Sequence, residues 1–276
     1  SSTSRGLGDV YKRQALEGKR LLVMRSHRKQ DDFIELLKDT SSEVLHRPIL
    51  DIKSLENSEK IKKQISNFDE FDIAIFVSIH AANFAIGWLD RYWPMLPLGI
   101  DYFAIGRQTA SAIEKFGLSV LCPSVNVTSD GLLSMQELQD VKSKKVIIFR
   151  GSTGQDTLKH ELILRGAEVE YCNLYQRVLN NGQKESILKE LPTIDCMIAH
   201  SGELLESLGV WDDVEKFAEG NKFSVLVPSE RVAEIAVKLG YSSVVVAKSA
   251  LPEVMLTALD KICLLYTSDA ADDTPC

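Results

Sequence analysis

The chain of 276 residues has a formal net charge of −7, with 45% apolar and 26% charged residues. That length and composition support one large domain or two ordinary ones with packed cores, and an acidic balance without a long basic block argues against nucleic acid as a partner. Apolar runs fall short of the roughly 20 residues that cross a bilayer, the first residues lack the apolar stretch of a signal peptide, and five cysteines without a CxxC pair read as thiols of a cytoplasmic protein.

In chain order, the first stretch, 1–14, is set aside as a foreign tail. GDVYKRQ (8–14) back-translates into a transposon-end adapter of sequencing libraries, as does CLLYTSDAADD (263–273) in the opposite orientation, so 263–276 is set aside too. Between them, RLLVMR (20–25) and EVLHRPILDI (43–52) read as strands around a helix at 29–39. DIAIFVS (72–78) is a strand, followed by a helix at 80–92, strand YFAIG (102–106), a helix at 107–116 and strand LSVLCP (118–123). KVIIFR (145–150), a helix at 155–165 and EVEYCNLYQRV (168–178) come next, then CMIAHS (196–201), helices near 202–219, FSVLVP (223–228), a helix at 229–239, SVVVAK (243–248) and a last helix at 253–262. The strands are short, near-continuous apolar runs, as parallel strands buried on both faces require. Ile113 with Phe116, and Val232, Ile235, Ala236 with Leu239, form single apolar helix stripes. Gly117 and Gly240 sit where helices end, and Ser201 and Ser229 where helices begin. The class is α/β with parallel sheets.

The order repeats. KRLLVMRS (19–26) matches KKVIIFRG (144–151) about 125 residues on, and the same register pairs Gln30-Asp31 with Gln155-Asp156. A second register, about 123 residues, pairs Asp72 with Asp195, Ser78 with Ser201 and Gly117 with Gly240.

In parallel sheets ligands gather beyond the carboxyl ends of the strands. Those ends carry Arg25, Ser78, Gly106, Arg150-Gly151-Ser152, Ser201-Gly202 and Ser229. Helix N-termini, hydroxyls and a few arginines make a surface for anions. The histidines show no metal-ligand spacing, and neither a Gly-x-Ser-x-Gly elbow nor a Cys/His pair is apparent. FRGSTGQD (149–156) lacks the lysine of a P-loop and the glycine spacing of a dinucleotide turn. A site for several carboxylates, spread over two domains, is the more natural reading. The residues alone also fit a two-domain polycarboxylate-binding protein without turnover, or a flavin- or nucleotide-binding regulator.

DYFAIGRQTASAIEKFG (101–117), FRGSTGQDTLKHELILRGAEVEYCNLYQRV (149–178), HSGELLESL (200–208) and VPSERVAEIAVKLG (227–240) occur in an order and spacing that resemble bacterial uroporphyrinogen-III synthases, over nearly all of 19–262. The resemblance implies two flavodoxin-like domains joined by antiparallel linker strands at 47–53 and 171–178. One domain would combine 15–46 with 179–262 and the other would be 54–170. It implies closure of the linear tetrapyrrole hydroxymethylbilane to uroporphyrinogen III, with loss of water and inversion of ring D. No metal or organic cofactor is implied, since the substrate carries its own nucleophile and leaving group. The implied protein is a cytoplasmic monomer, with a transient contact to the enzyme that supplies its substrate.

The same resemblance assigns roles. Tyr175 matches the family's Y-x-R tyrosine and would give a proton to the leaving hydroxyl or orient it; a phenol is a weak acid, so the gain is modest. Ser78, Thr109, Ser201 and Ser229 match turns that hold substrate carboxylates, and Gly106, Gly202 and the loop at Gly151-Ser152 would bring backbone amides close. Arg25, Arg150 and Arg231 are the cationic candidates, while Arg177 reads as a linker surface residue. Plainer uses exist for each: helix capping for the hydroxyls, hinge packing for Tyr175, and surface ion pairs for the arginines, with Arg150 exposed. Two positions depart from the family pattern. Gln155 stands where arginine is frequent, and His200 stands where threonine is common.

Overall fold

The structure, a computed structural model, describes residues 16–26, 31–56, 58–124, 127–218 and 223–269, with side chains through Ile262. The first expected tail and the end of the second lie outside them. In chain order the elements are β1 (Arg20–Val23), α1 (Asp32–Lys38), β2 (Glu43–His46), β3 (Leu50–Ser54), α2 (Glu59–Ser66), β4 (Ile73–Phe76), α3 (Ile79–Tyr92), β5 (Asp101–Ala104), α4 (Arg107–Glu114), β6 (Val120–Leu121) and α5 (Ser129–Leu133). They continue with β7 (Lys145–Gly151), α6 (Thr157–Leu164), β8 (Glu168–Leu179), α7 (Asn181–Glu190), β9 (Cys196–Ile198), α8 (Gly202–Leu208), α9 (Trp211–Ala218), β10 (Ser224–Val227), α10 (Glu230–Lys238), β11 (Val244–Val246) and α11 (Pro252–Asp269).

Two compact units result. The first takes the chain up to Asp51 and from Leu179 onward; the second is Ile52–Val178. The first holds a sheet ordered β11-β10-β9-β1-β2, and the other sheet is ordered β3-β8-β7-β4-β5-β6. The pairs β1–β2, β1–β9, β9–β10 and β10–β11 are parallel, as are β7–β8, β4–β7, β4–β5 and β5–β6. Only the β3–β8 edge runs the other way among the strands whose bonds define it: Leu55 N–H donates to the Leu174 carbonyl and Asn180 N–H to the Ile49 carbonyl, each at 2.9 Å. Each parallel set is doubly wound in one spatial order, because β7 and β8 stand in the second unit where β1 and β2 stand in the first. The order reverses between β1 and β9, and between β7 and β4. Ligands favour that position in such sheets.

The strands hold together because both faces are apolar. Ile147, Phe149, Ala74 and Phe76 pack under α3 and α4, while Ile148, Val146 and Ile75 pack with Leu158 and Leu162 of α6 on the other face. Phe76 and Phe149 are register partners, and their rings stack at 4.9 Å. In the first unit Leu22 and Met197 face α8 and α10, whereas Leu21, Val23 and Ile198 face α1 and α11. Among the described residues, side-chain caps start five helices: Asp31 accepts from Ile34 N–H, Ser58 from Ile61, Ser78 from Ala81, Thr128 from Gly131 and Asn180 from Gln183.

The repeat is built into hydrogen bonds. Asp72 accepts the Lys145 N–H at 2.8 Å and the Lys144 ammonium at 3.1 Å. Asp195 accepts the Arg20 N–H at 2.8 Å and the Lys19 ammonium at 3.1 Å. Each aspartate thus ties the start of one central strand to the start of its neighbour.

Several expectations need correction. EVLHRPILDI is two strands that join different sheets, β2 and β3, because Pro48 has no N–H for a ladder and turns the chain. Ser201 and Ser229 occupy extended N-cap positions, yet neither side chain makes a capping bond. Helices α2, α5 and α7 were not expected. Helix α7 buries only Ile187 and α2 only Ile61, Gln64 and Ile65, stripes too narrow to register as periodicity. The last helix runs through Asp269 rather than ending at 262, since CLLYTSD contains no breaker.

Candidate active site

The second unit gathers a hydroxyl pair at its switch point. Ser78 follows β4 and caps the 14-residue helix α3, its Oγ accepting the Ala81 N–H at 3.0 Å. The same Oγ lies 3.1 Å from the Tyr175 hydroxyl. Tyr175 comes from β8, where a register shift at Arg150/Gly151 sets it opposite Gly151 instead of Leu174. Such bulges re-aim side chains beside sites. The Ser152 N–H closes the bulge on the Tyr175 carbonyl at 2.8 Å. The Tyr175 ring is 2% exposed, with Phe84 stacked on it at 5.7 Å and His80 edge-on at 5.9 Å. Gly151 leaves the room: a Cβ there would fall 2.8 Å from Tyr175 Cε2.

A cavity of about 240 Å³ opens here, lined in part by Ser78, Arg150, Gly151, Tyr171, Tyr175 and Arg177. Arg150 is 6% exposed, so the plainer reading of it as an exposed turn arginine is wrong. Its Nε donates to the Gly151 carbonyl at 3.2 Å, and its Nη1 to the Gln155 carbonyl at 3.2 Å and to Asp156 Oδ1 at 3.1 Å. The guanidinium also lies 4.3 Å from the Tyr171 ring centre. Arg150 therefore organises the 151–156 loop from beneath while facing the cavity. Burial, then the neighbouring Asp156 carboxylate, raise the Tyr171 phenol pKa against the opposing field of Arg150, so Tyr171 stays neutral through the ordinary range. Arg177, expected on the surface, is exposed yet lines this cavity with Tyr175, two residues before it. Tyr171 was not singled out by sequence; its i, i+4 spacing to Tyr175 along a bulged strand is the only signal available.

The other expected residues fall in three places. Gly106 is the extended N-cap of α4, and a Cβ there would meet Val127 Cγ1 at 2.6 Å. Thr109 is inside α4 and 6% exposed, not in the turn, because the helix begins at Arg107; what it can offer is its first-turn N–H. Ser152 and Gln155 are exposed on the 151–156 loop. In the first unit Arg25 is 8% exposed and donates Nε to Asp31 Oδ2 at 2.7 Å, with a second ion-pair contact between Nη2 and Asp31 Oδ1. It lies 5.5 Å from the Phe33 ring centre, and Phe33 packs edge-on against His200 at 5.3 Å. Ser201 and Ser229 follow the adjacent strands β9 and β10. Gly202 is buried against the Ile235 side chain, and Arg231 is exposed on α10. The structure thus brings Ser78, Arg150, Gly151 and Tyr175 together, and separately sets Arg25, Ser201 and Ser229 along one end of the first sheet. Among the described residues no cluster of three metal-ligating side chains occurs, and no helix is long and apolar enough to cross a membrane.

Comparison with known proteins gives these geometries a frame. The solved uroporphyrinogen III synthases of Thermus thermophilus (a triple mutant) and Helicobacter pylori each superpose with a TM-score of 0.60 at 14% identity. They cover 90% and 88% of this chain, and 99% of their own, and share the fold. The uroporphyrinogen-III synthase of Escherichia coli is 32% identical over 248 residues, covering 87% of this chain and 99% of its own. That of Salmonella typhimurium is 31% identical over 221 residues, covering 77% and 88%. The uroporphyrinogen-III synthase HemD family model matches residues 31–257. With that match across most of its length, the chain belongs to the uroporphyrinogen-III synthase family.

Proposed function

We propose that this protein closes hydroxymethylbilane to uroporphyrinogen III, inverting ring D and releasing one water. The observation that carries the reading is family membership over 31–257, combined with the Ser78–Tyr175 hydroxyl pair at a switch-point cavity. The non-catalytic polycarboxylate-binding alternative gains nothing from either.

The chemistry asks little covalent work of the protein. The terminal hydroxyl leaves with a proton as water, pushed by the electrons of the adjacent pyrrole nitrogen. The substituted carbon of ring D attacks the azafulvenium formed and gives a spiro intermediate. That intermediate fragments to a second azafulvenium, which closes on the free carbon of ring D, and loss of a proton restores the pyrrole. The proton spent on the leaving hydroxyl equals the proton released at the end. Catalysis is then mainly positioning, with Tyr175 as the proton donor to the leaving group. The cavity beside Tyr175 has room for one substituted ring, not four. Arg177 and the loop amides held by Arg150 suit that ring's carboxylates. Arg25, Ser201 and Ser229 are proposed to take carboxylates of other rings, with Gly106, Thr109 and Gly202 offering backbone N–H groups. Gln155 supplies a neutral amide where an arginine would add charge, so this loop relies on backbone donors.

We place the reaction in the cytoplasm, in keeping with Cys122, Cys172 and Cys196 being outside any disulfide. We also take the working form to be a monomer that meets the enzyme supplying hydroxymethylbilane only transiently; light scattering during gel filtration checks the first point. The decisive assay generates hydroxymethylbilane in place, oxidises the products and separates the uroporphyrin isomers. Predominantly isomer III is expected. Isomer I alone, at the spontaneous rate, would sink the proposal.

A further inference from the structure

The resemblance makes Ser78 a carboxylate ligand, but its surroundings give it a different task. A serine hydroxyl has one hydrogen to donate and two lone pairs. One lone pair is committed to the Ala81 N–H at 3.0 Å. Among the described residues its other side-chain partner is the Tyr175 hydroxyl, at 3.1 Å. The ring behind that hydroxyl has little freedom, with Gly151 against one edge and Phe84 stacked on it.

We propose that Ser78 is a positioning residue that acts through Tyr175: it donates its proton to the Tyr175 oxygen and thereby turns the Tyr175 proton into the cavity. The chain then runs Ala81 N–H to Ser78 Oγ–H to Tyr175 O–H, each donor strengthening the next. It starts at the N-terminus of α3, whose positive end favours the charge that develops on Oγ and on the phenol oxygen as the proton departs. With the opposite sense, Tyr175 would spend its proton on Ser78 and have none for a leaving group. This inference rests on the proposed cyclase activity.

The test uses four variants of the whole protein: Ser78→Gly, Ser78→Thr, Tyr175→Phe and the Ser78→Gly/Tyr175→Phe double. Glycine serves an N-cap nearly as well as serine, so Ser78→Gly removes the hydroxyl and leaves α3 started. Isomer III formation above the spontaneous rate is measured across substrate concentrations, with melting temperature alongside. Expected are a fall in kcat of about tenfold for Ser78→Gly, a part of what a positioned proton donor supplies, a KM within about twofold, and recovery in Ser78→Thr. In the Tyr175→Phe background the same glycine should cost less than about twofold. Independent, multiplying losses in the double variant would overturn the coupling. A raised KM with unchanged kcat would instead make Ser78 a carboxylate ligand. Wild-type protein that yields only isomer I would remove the cyclase reading and this inference together, whereas the other two outcomes leave the cyclase reading standing.

Discussion

Gly151 permits a sharp prediction, because its effect follows from distances. An alanine Cβ there would sit 2.8 Å from Tyr175 Cε2, 2.9 Å from Cζ and 3.3 Å from Cδ2. Carbon pairs rest at about 3.5–4.0 Å, so the ring must retreat by about 0.7 Å. It cannot do so freely: Phe84 is stacked on it, and the Ser152 N–H pins the Tyr175 carbonyl. Crowding of this kind costs about 1–3 kcal/mol, a melting shift of a few degrees. The Ser78–Tyr175 separation of 3.1 Å already lies just beyond the usual range for paired hydroxyls, so a retreat away from Ser78 would break it. Misplacement by about 1 Å can cost about a hundredfold in rate, so isomer III turnover should fall between about tenfold and a hundredfold. Gly87 is the control. It lies in the interior of α3 with nothing within 4 Å of an added Cβ; alanine there should stabilise by up to about 1 kcal/mol and leave turnover alone. If Gly151→Ala melts and turns over like wild type, the Tyr175 ring is not packed on Gly151 and the site geometry is wrong.

Three more outcomes follow from the packing and the titrating groups. Phe149→Ala removes a fully buried ring stacked on Phe76 and should cost about 3–5 kcal/mol; a urea midpoint shift worth less than about 1 kcal/mol would contradict the core described. Burial pushes the Cys172 thiol up to about 12, and the thiolate is the reactive form, so iodoacetamide at pH 8 should label half-buried Cys122 well before Cys172, the difference vanishing in denaturant. The Lys145 backbone N–H first, and then the Lys144 ammonium, hold the Asp72 carboxyl below its ordinary range. Its contribution is therefore full above the unfolded value near about 4 and disappears as pH falls through the folded one. Asp72→Asn should destabilise at pH 7, with the gap to wild type closing on acidification; a gap that persists unchanged at pH 2 would refute the charge clamp.

What the sequence disclosed and what it hid separate by physical range. The registers that align Lys19 with Lys144 and Asp72 with Asp195 reappear as one clamp made twice, because each clamp needs only an aspartate before one strand and a lysine before its neighbour. Aligning Asp31 with Asp156 likewise finds the same arginine–aspartate lock after β1 and β7. Hydroxyls and glycines at strand ends were legible because parallel sheets put loops there. The bulge at Arg150/Gly151 was not, since nothing local marks Leu174 as an extra residue in β8. Nor was the burial of Arg150, which depends on Tyr171 from the neighbouring strand and on the loop folding back over the guanidinium. Thr109 was assigned to a turn through the resemblance although the expected helix at 107–116 already contained it, and the structure keeps it in that helix.

The repeat also bears on why the proposed proton donor has no counterpart in the other half. In the register of about 125 residues, Gly151 corresponds to Ser26 and Tyr175 to Leu50. The correspondence is physical: the Ser26 hydroxyl donates to the Leu50 carbonyl at 3.1 Å, while the Ser152 N–H donates to the Tyr175 carbonyl at 2.8 Å. Where the strand residue is tyrosine, the loop residue beside it is glycine, because a Cβ would enter the ring. Where it is leucine, a serine side chain is accommodated. Ser201, the counterpart of Ser78, makes no capping bond and has no phenol opposite it in that alignment. The two halves keep the same strand order, aspartate clamps and arginine locks. Only the second pairs a glycine with a tyrosine and a capping serine with its hydroxyl. On the proposed reading, a duplicated frame supplies strand ends for carboxylates twice, and the proton donor once. The first unit's arginine lock should then matter for substrate affinity more than for kcat, and the hydroxyl pair of the second unit for kcat more than for affinity.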